Sequence, residues 1–128
     1  MIDFGVITPR EGQERVAVVG FLSQFKTFAS KHNLVVFVRA PYKETLTELG
    51  ILPSQAEDTI LGLTVGNYYR GIGAAERVGE EVCEFGTTLA DKEIYIKLIL
   101  DTVHKKAICC SFHIAERKIS YPFAGDVG

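Results

Sequence analysis

"EIYIKLILDTVHKKAICCSFH", residues 93–113, alternates apolar and polar residues with a period of two, breaks at a polar loop, and alternates again. That is the pattern of a β-hairpin with one buried face. In the first arm Ile94, Ile96, Leu98 and Leu100 share one face, and Glu93, Tyr95, Lys97 and Ile99 the other. In the second arm Ile108, Cys110, Phe112 and Ile114 share a face, opposite Ala107, Cys109, Ser111 and His113. The apolar sets must lie on the same side to be buried, which fixes the parity of the register. A turn centred near His104 sets Leu98 against Cys110 and Ile96 against Phe112. It also sets Tyr95 across from His113 and Lys97 across from Ser111. The polar face then gathers an acid/base set beside a cation, with cross-strand Cβ atoms about 5 Å apart. Ordinary solvated sheet faces carry the same residue types, so the spacing leaves both readings open.

Outward from the hairpin, the N-terminal half reads as helical. Val18, Phe21, Leu22, Phe25, Phe28 and Ala29 fall at spacings of three and four, which predicts a helix from Glu14 to His32 with Gly20 as its weak point. "LVVFVR" (34–39) is short and β-branched, a strand bounded by Asn33 and Pro41. "PYKETLTELG" predicts a short helix ended by Gly50 as a left-handed cap. "SQAEDTILGL" opens with Ser54 and Glu57 at capping-box spacing. Thr64 is expected to cap a short turn carrying Asn67, Tyr68, Tyr69 and Arg70, released by Gly71 and Gly73. A strand is expected around Val82–Phe85, broken at Gly86, and "RKISYPF" (117–123) reads as a final extended piece. Helices first and three consecutive strands after them predict an α+β fold. The expected architecture is a small twisted antiparallel sheet with the N-terminal helices on one face and the other face partly open.

The chain of 128 residues suits one domain, 1–128, with one core. With 47% hydrophobic and 23% charged residues it has the balance of a soluble globular protein. "VAVVGFL" (16–22) is too short to span a bilayer and lacks a cleavage pattern, so neither a membrane nor an export signal is expected. Two adjacent cysteines in an apolar strand and a third at Cys83 read as reduced, buried thiols of a cytoplasmic protein. The net charge of −2 gives no global attraction for nucleic acid. Its distribution is uneven: residues 1–91 hold eight Lys/Arg against twelve Asp/Glu, and residues 92–118 hold six against three. Glu76 and "EEVCE" (80–84) form an acidic patch just before the basic part.

Other chemistries fit poorly. A cysteine–histidine nucleophile pair would need Cys109 and His113, which four residues of strand separate by about 13 Å. His32, His104, His113 and Cys83 show no metal-ligand spacing, so no metal and no cofactor is expected. Gly71-Ile72-Gly73 lacks the strand-to-helix setting of a dinucleotide loop.

"FLSQFK" (21–26), "VVFVRAPYKETLTELGI" (35–51), "ILGLTVGNYYRG" (60–71), "EFG" (84–86), "EIYIKLIL" (93–100) and "CCSFHIAERKISYPF" (109–123) together resemble the MqsR (motility quorum-sensing regulator) toxins. The likeness is to the branch whose C-terminal strand reads Ser-Phe-His, and it covers roughly residues 18–123. It implies a RelE-like α+β fold and a type II toxin, neutralised by a cognate antitoxin, that cuts messenger RNA without a metal. By the same resemblance, Tyr95 and Lys97 match the family's Tyr-x-Lys strand. His113 stands where distant members have a lysine after Ser-Phe, and Arg70 where they have a lysine after a tyrosine. A family glutamine before the hairpin has no secure counterpart; Glu84 is the nearest polar residue.

Metal-free RNA cleavage needs a base for the 2′-hydroxyl proton, an acid for the leaving 5′-oxygen, and cations on the phosphate. A histidine such as His113 suits the proton work. Tyr95 is expected to orient the phosphate or stack a splayed base. Lys97 and Arg70 would supply positive charge; Arg39, Lys43 and Ser111 are the expected substrate contacts. The alternative is a non-catalytic RNA- or protein-binding module, including a degenerate toxin that keeps only its antitoxin interface. The net negative charge favours that alternative, and the joint presence of Tyr95, Lys97, Arg70 and His113 favours the enzyme.

Overall fold

The computed structural model describes residues 9–125, an α+β arrangement of three α-helices and a five-stranded open sheet. α1 (Pro9–Phe28) carries the predicted stripe: Val18, Phe21, Leu22 and Phe25 are buried, and a π-helical turn, Ala29–Asn33, ends the helical run. β1 (Leu34–Val36) leads into α2 (Ala40–Leu49), which holds Pro41 in its first turn and ends on Gly50 at φ 67° as expected. α3 (Pro53–Leu61) starts earlier than the Ser54–Glu57 box predicts. Pro53 has a helix-compatible φ and no N–H to satisfy, so Leu52 becomes the cap and donates its N–H to the Gln55 side chain at 2.7 Å.

The strands are β2 (Tyr68–Ala74), β3 (Glu80–Leu89), β4 (Lys92–Asp101) and β5 (Lys106–Ile114), in the order β1-β5-β4-β3-β2. Three features correct the sequence reading. The sheet is mixed and not purely antiparallel, because β1 pairs parallel to β5, with Leu34 opposite Ala107. The Tyr68–Arg70 stretch is strand, not turn: Thr64 and Asn67 do cap a short turn, and two aromatics then enter β2. Gly71, at φ 83°, marks an irregularity in the β2–β3 ladder. Gly86, expected as a break, lies inside β3 opposite Tyr95.

The hairpin of β4 and β5 pairs Ile96 with Phe112, Tyr95 with His113 and Lys97 with Ser111, as the alternation predicts. Beyond Lys97 the prediction fails, because Cys110 is the extra residue of a bulge and Leu98 meets Cys109. One inserted residue reverses the faces that follow it. Cys109 and Ala107 are therefore buried, and Cys110 lines the open face with its thiol near the Lys97 carbonyl. Asp101 closes the hairpin turn by accepting the N–H groups of Val103 and His104.

Among the described residues the helices cover one face only. Ile94, Ile96, Leu98, Leu100, Phe85 and Phe112 pack beneath Phe21, Phe25, Tyr42 and Ile60 in one hydrophobic cluster. The buried Tyr68 hydroxyl donates to Glu14 of α1 at 2.7 Å and accepts the Ile72 N–H, so no polar atom is stranded there. Among the described residues no helix is long and apolar enough to cross a membrane.

The two-residue turn between β3 and β4 holds Ala90 at φ 49° and Asp91 at φ 64°. A left-handed backbone costs an L-residue about 1–2 kcal/mol, least for Asn, Asp and Gly. Ala90→Gly is expected to stabilise the fold by about 0.5–1 kcal/mol after the entropy it adds to the unfolded chain. The urea midpoint measures it, with an unchanged slope.

Candidate active site

Alternation along β3, β4 and β5 sends every second side chain to the uncovered face. Glu84, Tyr95 and His113 stand there on three neighbouring strands, and Arg70 reaches over from β2. Tyr95 and His113 lie ring beside ring, with centroids 5.3 Å apart and planes tilted by 36°. His113 Nδ1 is 2.9 Å from the Ile114 carbonyl oxygen, which can only accept. Nδ1 therefore carries the proton of the neutral ring, and Nε2 is left as the acceptor. The strand end that presents His113 is itself held, since the Ile114 N–H donates to Thr45 Oγ1 of α2 at 3.2 Å.

Glu84 organises the other side. Its Oε1 accepts the Tyr95 hydroxyl at 2.7 Å and Arg70 Nε at 3.2 Å, and its side chain is only 17% exposed. Burial, with the Glu84 carboxylate next in order, pushes the Tyr95 phenol well above its ordinary range. Tyr95 thus stays a hydrogen-bond donor. The hydrogen bond to Glu84 raises Arg70 further, so its charge is permanent. The guanidinium also lies over the Tyr69 ring, 4.6 Å from its centroid. Gly71 makes room for this: a Cβ there would come within 2.6 Å of Glu84 Oε2.

Together Tyr69, Arg70, Tyr95 and His113 line a cleft of about 320 Å³, closed at one end by the segment after β5 through Ala115, Glu116, Arg117 and Ile119. That segment, expected as an extended piece, forms no strand. It crosses the end of the open face and is pinned by Glu93, which accepts the Ile119 N–H at 3.0 Å and the Tyr121 hydroxyl at 2.9 Å. It fits only because residue 86 is glycine: a Cβ there would lie 2.7 Å from both Ile119 and Tyr121.

The remaining expected residues divide. Lys97 and Ser111 occupy the next rung of the hairpin and, with Arg39, line a neighbouring depression on the same face. Lys43 is not with them; it lines a separate apolar groove with Leu34, Val36 and Leu46. Lys43 was expected beside Arg39 as a substrate contact, but α2 begins between them and turns Lys43 away. Glu84 and Arg117 are the residues that sequence reasoning undervalued. The parity of β3 would have placed Glu84 beside Tyr95 had the strand been carried through Gly86. The acidic patch is thereby split, since Glu84 belongs to the cleft while Glu76 and Glu80 rim the depression. Nothing short of the C-terminal segment's path could have placed Arg117.

The arrangement offers an imidazole nitrogen for proton transfer, a neutral phenol whose proton is held by Glu84, and guanidinium groups for an anion. Among the described residues no group of three or more His, Cys, Asp or Glu side chains could hold a metal ion. Comparison with protein-family models, with curated proteins and with solved structures finds no match.

Burial also raises Tyr68, Cys83 and Cys110, and pushes Tyr121 and Cys109 up to about 12. The folded state keeps these protons where the unfolded chain has already lost them. Stability is therefore full below the ordinary thiol and phenol values, about 8.5 and 10, and falls as pH rises beyond them. Thermal melts between pH 7 and 11 are expected to show a decline from about pH 9, and a flat profile would contradict the buried neutral groups.

Proposed function

We propose that this chain is a metal-independent endoribonuclease acting as the toxin of a type II toxin–antitoxin pair, with a RelE-like fold of the MqsR kind. The observation that carries the reading is the meeting of His113, Tyr95 and Arg70 in one cleft on an uncovered sheet face. The likeness of "EIYIKLIL" and "CCSFHIAERKISYPF" to that family supports it.

In the proposed reaction the 2′-oxygen of a ribose attacks the adjacent phosphorus while the P–O5′ bond breaks. The products are a 2′,3′-cyclic phosphate and a free 5′-hydroxyl. His113 Nε2 takes the 2′-hydroxyl proton. Arg70 and Arg117 neutralise the phosphate charge that grows in the transition state, and the Tyr95 hydroxyl is held by Glu84 beside them. The leaving oxygen takes its proton from water or from the imidazolium. No cofactor takes part. The cell compartment is the cytoplasm, and the expected partners are single-stranded messenger RNA and an antitoxin.

One observation favours the non-catalytic alternative. Arg70 is tied to Glu84, and Glu116 lines the cleft with Arg117, so each guanidinium has a carboxylate near it. A binding module would tolerate that neutralisation better than an enzyme needing free positive charge. Incubating purified protein with a defined RNA in EDTA separates the two. Cyclic-phosphate ends and growth arrest on expression, relieved by the antitoxin, are expected. Intact RNA and normal growth at high expression would leave the binding module.

A further inference from the structure

The uncovered face continues past the cleft, and its two ends carry the same device. Arg70 lies over Tyr69 on β2, and Arg39 lies over Phe37, 5.1 Å from the ring centroid, just beyond β1. β1 and β2 are opposite edges of the sheet, four inter-strand spacings apart, about 19 Å. Between the pairs run the Tyr95–His113 rung and then the Lys97–Ser111 rung. The far end is a depression of about 430 Å³ that contains Phe37, Arg39, Arg77, Lys97 and Ser111. Phe37 is 38% exposed, whereas Leu34 and Val36 before it pack against the core.

We propose that this depression is a second subsite of the RNA-cleaving site, and the proposal rests on that reading of the cleft. Phe37 takes a base of single-stranded RNA on its ring, and Arg39 and Lys97 take backbone phosphates. The strand then runs diagonally across the sheet from Tyr69–Arg70 to Phe37–Arg39. An exposed aromatic ring offers a π-face to any base, and a guanidinium beside it pairs with phosphate, which is how single strands are held without sequence preference. Val82, Ile99 and Ile108 would suit a protein ligand as well. Such a ligand would give no reason for an arginine over an aromatic ring at each end of the path. Glu76 and Glu80 stand on the rim of the depression, and their carboxylates repel phosphate. The backbone therefore passes on the side of Arg39 and β5.

The consequence is a dependence on substrate length. A dinucleotide reaches only the cleft, while an oligonucleotide also engages Phe37 and Arg39. Fluorescence anisotropy of a labelled single-stranded decamer, with His113→Ala protein so that it stays intact, reads the subsite directly. Adding Phe37→Ala is expected to weaken binding on the order of ten- to a hundredfold, and Phe37→Trp to restore it. Arg39→Ala is expected to lower the slope of log K against log salt by about 0.7. With His113 intact, the loss caused by Phe37→Ala is expected to be about tenfold greater on the decamer than on a dinucleotide. Decamer affinity within about twofold of the parent in both variants overturns the subsite and leaves the strip to a protein ligand. Wild-type protein that binds the decamer through Phe37 and cuts nothing overturns the enzyme and keeps the subsite. Absence of RNA binding by the wild type overturns both.

Discussion

His113→Ala is expected to fold as the wild type does and to lose 10²–10⁴-fold in the rate of RNA cleavage. His113 is half-buried on the uncovered side of β5, while its neighbour Phe112 is turned into the core at 2% exposure. Truncation removes the bond to the Ile114 carbonyl and the contact with the Tyr95 ring, and it opens no cavity in the hydrophobic cluster. Changes at such positions shift stability by about 0.5 kcal/mol or little more. The two effects thus differ by several kcal/mol. Tyr95→Phe is the informative companion, because it keeps the ring beside His113 and removes the hydroxyl that Glu84 accepts. That loss leaves the Glu84 carboxylate without its phenol partner and free to draw more on Arg70, so Tyr95→Phe should impair cleavage without exceeding His113→Ala. Single-turnover cleavage of a defined RNA in EDTA, with melting curves on the same samples, measures both. A His113→Ala protein that cuts within a few-fold of wild type would remove His113 from the chemistry and leave Arg70 and Arg117 to act by charge alone.

That pairing of Tyr95 with His113 was legible from the period-two alternation of each arm, which puts Ile94, Ile96 and Phe112 on one side. The turn alone, with Asp101 opposite Lys106, would have set Tyr95 against Phe112 but for the bulge. Alternation is a property of the residues themselves, and Asp101 holds the turn through two backbone N–H groups. The bulge at Cys110 was not legible. Ile108 and Cys110 are as apolar as Ala107 and Cys109, so the pattern could not say which pair would face the helices. The parallel pairing of β1 was hidden for another reason. Its partner lies some 70 residues away, and a three-residue strand carries no mark of direction. In β2 the glycines misled: Gly71 and Gly73 read as an exit from a turn, whereas Gly71 bulges the strand and clears space for the Glu84 carboxylate. Gly86 misled in the same way, since its missing side chain serves the segment that crosses above it. Glycine says that something comes close, and only the tertiary structure says what.

Phe85→Ala is expected to produce the opposite dissociation, a large loss of stability with little loss of activity in the molecules that remain folded. Phe85 sits in β3 between Glu84 and Gly86, and alternation sends it to the helix side while they face the cleft. It is fully buried, 6.2 Å from the ring of Phe21 on α1 and 6.2 Å from that of Tyr68. Removing a buried phenylalanine costs about 3–5 kcal/mol, through lost transfer energy and the cavity left behind. A domain of this size has about 5–15 kcal/mol in all, so the variant should melt roughly 10–20 °C below wild type. Phe85→Leu fills most of the cavity and should lose far less. The backbone of β3 is held on both sides, by β2 and by the ten paired positions shared with β4. Glu84 should therefore keep its bonds to Tyr95 and Arg70 in the folded fraction. Cleavage rate per folded molecule, measured well below the melting point, is expected to stay within a few-fold of wild type. A folded Phe85→Ala protein that has lost cleavage to the same extent as His113→Ala would mean that the core side of β3 sets the geometry of Glu84. The cleft would then be positioned by packing of the helices and not by the strand ladder alone.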